Sequence, residues 1–217
     1  MNSKKSTVQF KLLLLCAGSS RRFQSAKVVA CANKNGRCKP VVQHAIDSIT
    51  GAFKVLGVPY KNIYLTTGKY HQEIVHALNV NEDIRICYCD KAYKGMSYSL
   101  IQGIDKILKE SPDTTHIMIA LADQIALTTD DYVKMIKLTV DSQEQIICAK
   151  SPNGLTAPVI FPYQYFESLK QLKGDVGAKS VVLSNLKNVK RVLIESAEFD
   201  IDTQTDLNIW NEKQLSN

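Results

Sequence analysis

The segment Phe10–Cys16 reads F-K-L-L-L-L-C and passes directly into Ala17-Gly18-Ser19-Ser20, beyond which stand Arg21, Arg22 and Lys27. An apolar run of this length that stops at small residues is a buried strand turning into a loop. A strand apolar on both faces belongs near the middle of a parallel sheet covered by helices. Small residues leave backbone N–H groups free to face an anion, and flexible cations just beyond them can neutralise more than one phosphate. This stretch points to a nucleoside triphosphate site at the end of a first strand, with a turn that carries a solvated basic face as the alternative.

The remaining chain keeps the same rhythm of strand and helix. Residues 17–39 are expected as a long loop, and Pro40 opens a helix that runs to about residue 53 and ends with the help of Gly51 and Gly57. Strands follow at 62–67, 84–88, 116–122, 146–149, 157–161 and 190–194, with a turn at Ser151-Pro-Asn-Gly154. Helices are expected at 71–78, from Leu100 to about 109, after a cap at Thr128 or Thr129, at 163–172, at 177–185 and at 203–213. Alternation of this kind argues for a largely parallel sheet with right-handed crossovers. Residues 1–9 are polar and read as a flexible N-terminus, with 10–217 forming one domain.

Charge is unevenly spread. Every charged residue before Asp47 is a Lys or an Arg, so the rest of the chain holds more acids than bases although the whole is +6. A basic segment beside a small-residue loop suits a polyanionic ligand. Nucleic acid is the competing partner, but no aromatics are interleaved with these cations as stacking platforms. The six cysteines include no C-x-x-C pair. They read as free thiols in a reducing cytoplasm, and the spacings of Cys31, Cys38, Cys87 and Cys89 support zinc poorly. The basic, apolar N-terminus imitates a signal peptide, but Lys11 breaks its apolar run and a buried strand explains it better. With no run of 18 apolar residues, nothing is expected to span a membrane.

Two acidic positions stand out. Asp123 ends a strand of pure hydrophobes, and ligands of open α/β sheets bind beyond the carboxyl ends of strands. A lone carboxylate there suits magnesium, a hard cation that takes few protein oxygens. In Asp200-Ile-Asp202, alternation puts both carboxylates on one side of an extended segment. One can be a second metal ligand, or the stretch can simply start a helix, with Thr203 and Asp206 as a capping box. The four histidines form no catalytic or ligand pattern.

Several of these stretches, taken in order, resemble one family. Leu15-Cys-Ala-Gly-Ser-Ser-Arg-Arg-Phe23 with Lys27 looks like the signature loop of the nucleotidyltransferases that include molybdenum-cofactor cytidylyltransferase and its guanylyltransferase relative. The region Gly36 to His44 follows, then Gly95-Met-Ser-Tyr-Ser-Leu100, Leu121-Ala-Asp-Gln124, Gly174-Asp-Val-Gly-Ala178 and Asp200-Ile-Asp-Thr-Gln-Thr-Asp-Leu207. The resemblance covers about 10 to 210 and favours the cytidylyltransferase branch. It implies a Rossmann-like, three-layer single domain of the nucleotide-diphospho-sugar transferase type. It also implies transfer of a nucleoside monophosphate, CMP from CTP, to a phosphorylated acceptor such as the molybdopterin cofactor, with magnesium as the metal.

Carried over by position, the resemblance assigns nucleotide contacts to Ala17, Gly18, Ser19, Ser20, Gly95, Met96, Ser97 and Ser99. Arg22 and Lys27 bind phosphate and, with Asp123, are catalytic. Asp123 and Asp202 hold the metal, with Asp200 in reserve. Ala17 stands where guanylyl relatives carry Gly, which favours CTP over GTP. Three departures cluster where the acceptor should bind. Ile125 replaces a proline, Gly154-Leu-Thr-Ala-Pro158 lacks the family's polar side chain before proline, and the loop is expanded over Asn33 to Lys39. The rivals are therefore the same chemistry on a sugar phosphate, a methylerythritol phosphate or a purine-pathway cofactor, or a nucleotide-binding module that does not catalyse.

Overall fold

Strand β1 (Phe10–Cys16) is buried along its whole length, and its side chains divide by parity. Leu12, Leu14 and Cys16 enter one core cluster, and Leu13 and Leu15 enter another on the opposite face. That is the alternation a pleated strand must show when both faces are covered. Each fully buried leucine contributes about 2 kcal/mol by area transfer. The computed structural model describes residues 8–18, 20, 22–23, 25–78 and 83–215.

The other strands are β2 (Cys31–Lys34), β3 (Arg37–Pro40), β4 (Ile63–Thr67), β5 (Arg85–Tyr88), β6 (His116–Leu121), β7 (Ile146–Ser151), β8 (Gly154–Pro162) and β9 (Val189–Leu193). The helices are α1 (Val41–Leu56), α2 (His71–Ala77), α3 (Met96–Glu110), α4 (Thr129–Asp141), α5 (Phe166–Lys170), α6 (Lys179–Ser184) and α7 (Gln204–Leu215). A seven-stranded sheet has the order β5-β4-β1-β6-β8-β7-β9, and β2 and β3 form a separate hairpin. β1 lies parallel to β4 and β6, and β4 is parallel to β5. Only β8 runs against its neighbours, because a tight turn after Ser151 reverses the chain beside β7. Helices α1 and α4 close one face through Ile46, Ile49, Phe53 and Met135. Helices α3, α5 and α6 close the other through Ile104, Ile107, Leu169 and Val182. The result is the expected three-layer, mostly parallel α/β architecture. No helix among the described residues is long and apolar enough to cross a membrane.

Several local expectations are corrected. Helix α1 runs straight through Gly51, where a side chain would lie 2.5 Å from Thr129 Oγ1, and ends at Gly57. Gly51 is therefore a point of helix contact with α4, not a stop. Of the segment expected to be frayed, residues 1–7 lie outside the described residues, whereas Gln9 is tied down. Its N–H donates to Thr115 Oγ1, and its carbonyl accepts from the amides of Thr115 and His116.

The expected loop over 17–39 contains the β2–β3 hairpin. Its turn is Asn35-Gly36, with φ of 52° and 71°. Both central residues of this tight turn need the left-handed region, which Asn and Gly tolerate. The hairpin also brings Cys31 and Cys38 together as a disulfide, Cα to Cα 5.7 Å. These two are therefore not the free thiols expected, whereas Cys16, Cys87, Cys89 and Cys148 are free and buried.

Candidate active site

A cleft of about 530 Å³ opens over the carboxyl ends of β1 and β6. Four separate pieces of chain supply its charged groups: the loop after β1, the loop after β6, the extended segment before α7, and Asp175 of the segment between α5 and α6. Lys27 Nζ donates to Asp123 Oδ2 at 2.6 Å and to Asp202 Oδ1 at 2.9 Å, and Arg22 Nη2 donates to Asp202 Oδ2 at 2.7 Å. The two stretches expected to converge, 96 residues apart in sequence, thus meet at one ammonium. Lys27 and Asp123 are largely buried and Asp202 is half-buried, whereas Arg22 extends into solvent.

A third core cluster holds these pieces in register. Ala32 of the hairpin, Ile125, Ile201, Leu207 and Trp210 pack together. The amide of Ile201 donates to the carbonyl of Asp123 at 3.1 Å, so the two acid-bearing segments are directly hydrogen-bonded. Lys34 Nζ donates to the carbonyls of Ile125 and Leu127, and Trp210 Nε1 donates to the carbonyl of Asn33. Asp206 accepts from the amides of Asp202 and Thr203, and the Thr203 hydroxyl caps α7 in return. The capping box therefore also fixes the backbone of Asp202.

Burial alone would push the Lys27 amine down, but the charges and hydrogen bonds of Asp123 and Asp202 outweigh it and hold its pKa above the ordinary value. Asp200 behaves oppositely. Burial, then the neighbouring charges of Asp123 and Asp202, push its carboxyl up to about 6, against smaller pulls from Gln124 and Lys27. The amide of Gln124 gives its hydrogens to the carbonyls of Ala157 and Ala197. Cys16 lines the cleft, but burial and the Asp123 charge raise its thiol far above the ordinary range, so it is a wall and not a nucleophile.

Asp123 Oδ1 and Asp200 Oδ1 are buried with no hydrogen-bond partner among the described residues. Buried carboxylate oxygens of this kind call for a donor or a cation. No group of three or more His, Cys, Asp or Glu among the described residues is disposed to cage a metal by itself. An all-oxygen set built on two carboxylates fits a hard divalent cation, which completes its shell with phosphate and water.

The far wall of the cleft is made by backbone fit. Gly95 has φ 127°, and a side chain there would stand 2.2 Å from the carbonyl carbon of Gly174. Ser97 donates from both its amide and its hydroxyl to the Gly174 carbonyl. Of the residues expected to contact nucleotide, Ala17, Gly18, Ser20, Arg22, Lys27, Gly95, Met96 and Ser99 line the cleft. Ser97 does not, because it is fully buried against Gly174 and holds the turn in place. Ser19 lies outside the described residues. Tyr93 and Asp175 also line the cleft and were not anticipated. Asp175 belongs to the Gly174–Ala178 stretch that carries the resemblance, but its place in the cleft depends on the contact of Gly174 with Gly95, far apart in sequence.

Residues 12–189 match the family described as the MobA-like NTP transferase domain. The purine catabolism protein PucB of Bacillus subtilis (strain 168) is 33% identical over 118 residues, 53% of this chain and 55% of that protein. The chain thus matches about half the length of that relative. Among solved structures, Rv0371c from Mycobacterium tuberculosis H37Rv superposes with a TM-score of 0.80 at 21% identity, covering 95% of this chain and 99% of that one. The same protein in complex with manganese gives 0.73 at 20% identity, over 94% and 99%. The 4-diphosphocytidyl-2C-methyl-D-erythritol synthase of Anaerococcus prevotii DSM 20548 gives 0.71 at 16% identity, over 97% of both chains. At such identities these likenesses speak for the fold.

Proposed function

The chain belongs to the MobA-like NTP transferase domain family, and from that premise we propose that it is a nucleotidyltransferase. In this reading it carries CMP from CTP to a phosphorylated small-molecule acceptor such as the molybdopterin cofactor and releases pyrophosphate. The observation that carries the reading is the Lys27 ammonium held between Asp123 and Asp202 at the mouth of a small-residue loop. Cations and acids so placed can bind a triphosphate and its counter-ion side by side.

In this reading the amides of Ala17, Gly18 and Ser20 face the triphosphate, and Arg22 and Lys27 cancel its charge, Lys27 nearest the α-phosphate. Asp123 and Asp202 would hold a magnesium ion, whose chemistry there is the neutralisation of phosphate charge. A phosphate oxygen of the acceptor forms the new bond to the α-phosphorus in line with the departing group. The bond to the bridging oxygen breaks, and its electron pair leaves on pyrophosphate. The attacking oxygen is already anionic at neutral pH, so no side chain needs to take a proton from it. The work of the chain is positioning and charge stabilisation.

Residues 10–217 act as one domain in this reading. Its place is the cytoplasm, where nucleoside triphosphates are at hand and the four buried thiols stay reduced; the Cys31–Cys38 pair is the exception. Ala17 in the cleft wall supports CTP over GTP. The test is a pyrophosphate-release screen of nucleoside triphosphates against molybdopterin, sugar-phosphate, methylerythritol-phosphate and purine-pathway acceptors. Asp123→Asn should lose about 3–4 kcal/mol of transition-state stabilisation, a 10²- to 10³-fold fall in kcat, with its melting transition retained. Turnover of that variant near the wild-type rate would remove Asp123 from the mechanism.

A further inference from the structure

The cleft is chemically polarised, and the sheet order explains why. In the order β5-β4-β1-β6, the loop after β6 brings Asp123 to one flank of β1. The loop after β5 brings Ala92, Tyr93, Gly95 and Met96 to the other. Three strand spacings separate the flanks, roughly 14 Å. Arg22, Lys27, Asp123, Asp200 and Asp202 occupy the β6 side, whereas the β5 side is uncharged apart from Asp175 among the described residues that line the cleft. A nucleotide bound with its phosphates among the cations must lay its base along the uncharged flank.

Tyr93 stands on that flank with 73% of its surface exposed, and its hydroxyl has no hydrogen-bond partner among the described residues. The backbone beneath it is fixed. The amide of Lys94 donates to the carbonyl of Lys91, that of Gly95 donates to the carbonyl of Ala92, and Gly95 is sealed against Gly174. Lys94 Nζ sits 5.9 Å from the centre of the Tyr93 ring and 5.8 Å from that of Tyr98. Tyr93 lines the cleft and Lys94 does not, and most of the Tyr93 side chain is open to solvent. Met96, also exposed, borders the same space with a polarisable thioether.

We propose that the Tyr93 ring is the platform on which the nucleobase of the triphosphate stacks, which makes Tyr93 a substrate-contacting determinant of affinity for nucleotides over bare polyphosphates. The inference rests on the nucleotidyltransferase reading of the same cleft. Stacking engages the face of a base and not its edge. Tyr93 therefore separates ligands that carry a planar base from those that carry none, without choosing among bases.

Calorimetry with magnesium present tests this on the full chain. Wild type, Tyr93→Ala and Tyr93→Phe are each titrated with CTP, with GTP and with inorganic tripolyphosphate. Tyr93→Ala should weaken nucleoside triphosphate binding about 5- to 150-fold, the range for loss of one base–aromatic stack, and leave tripolyphosphate binding unchanged. Tyr93→Phe should bind like wild type, since the hydroxyl has no partner among the described residues to lose. The exposed side chain makes unfolding of either variant unexpected, and a melting curve checks that. The proposal is overturned if Tyr93→Ala binds nucleotide within twofold of wild type. It is also overturned if nucleotide and tripolyphosphate affinities fall in equal proportion, which would mark the residue as structural. Wild type that binds none of the three ligands would bring down the nucleotide reading itself, a result separate from either of these.

Discussion

The two flanks of the cleft are built from different materials. On the β6 side the geometry lies in side-chain charge: one ammonium bridges two carboxylates, and a third carboxyl is held close by. On the β5 side it lies in backbone contact, a glycine with positive φ pressed onto another glycine 79 positions along the chain. A charge can be deleted there while the chain keeps its path, because the segments are held by the hydrophobic cluster of Ala32, Ile125, Ile201 and Trp210. A backbone contact admits no such deletion. Chemistry and architecture are thus separable on one flank and fused on the other.

Lys27→Met breaks the comparison most directly. It should remove about 3–4 kcal/mol of transition-state stabilisation while shifting the denaturation midpoint little, because the methionine stem keeps the packing. Steady-state kinetics and a urea titration on the same preparation read both numbers. A large loss of stability with kcat intact would show that Lys27 is a strut and not a charge. Gly95→Ala should do the reverse of Lys27→Met and rank next. A Cβ 2.2 Å from Gly174 and a φ of 127° together should cost about 2–3 kcal/mol of folding stability. Nucleotide affinity should fall with it, as the turn that carries Tyr93 moves. If Gly95→Ala keeps wild-type stability, the second flank is softer than the contact implies.

The same division decides what could be read in the chain before its coordinates. β1 and β6 announce themselves, since burial on both faces demands runs of hydrophobes, with Lys11 and His116 the polar members near their starts. Asp123 is conspicuous as the polar residue where such a run stops. Asp200 and Asp202 could be put on one side by alternation, and Ile201 between them is indeed fully buried. The β2–β3 hairpin was hidden because C-A-N-K and R-C-K-P show no period of two. Its one local sign was Asn35-Gly36, the dipeptide that tight hairpins favour. The contact of Gly95 with Gly174 leaves no local trace at all. The family resemblance assigns Ser97 a ligand contact, whereas its hydroxyl donates to the Gly174 carbonyl. Side chains that act by charge are visible in sequence; backbones that act by proximity are not.

Asp200 gives the smallest effect and the finest view of the charged flank. Its carboxyl titrates near 6 in the folded chain, against an ordinary value of 3.8. A carboxyl whose folded pKa is raised stabilises the fold through its neutral form. That contribution is whole below about pH 4 and is lost as the pH climbs through about 6. The slope can reach at most about 1.4 kcal/mol per pH unit, and partial solvent access reduces it. Asp200→Asn is neutral throughout, so without added metal or nucleotide its stability should lack this pH-dependent loss. The difference between variant and wild type should therefore widen from pH 4 to pH 7 in the variant's favour. Parallel stability curves over that range would mean that neither burial nor the charges of Asp123 and Asp202 raise the Asp200 carboxyl in the folded chain.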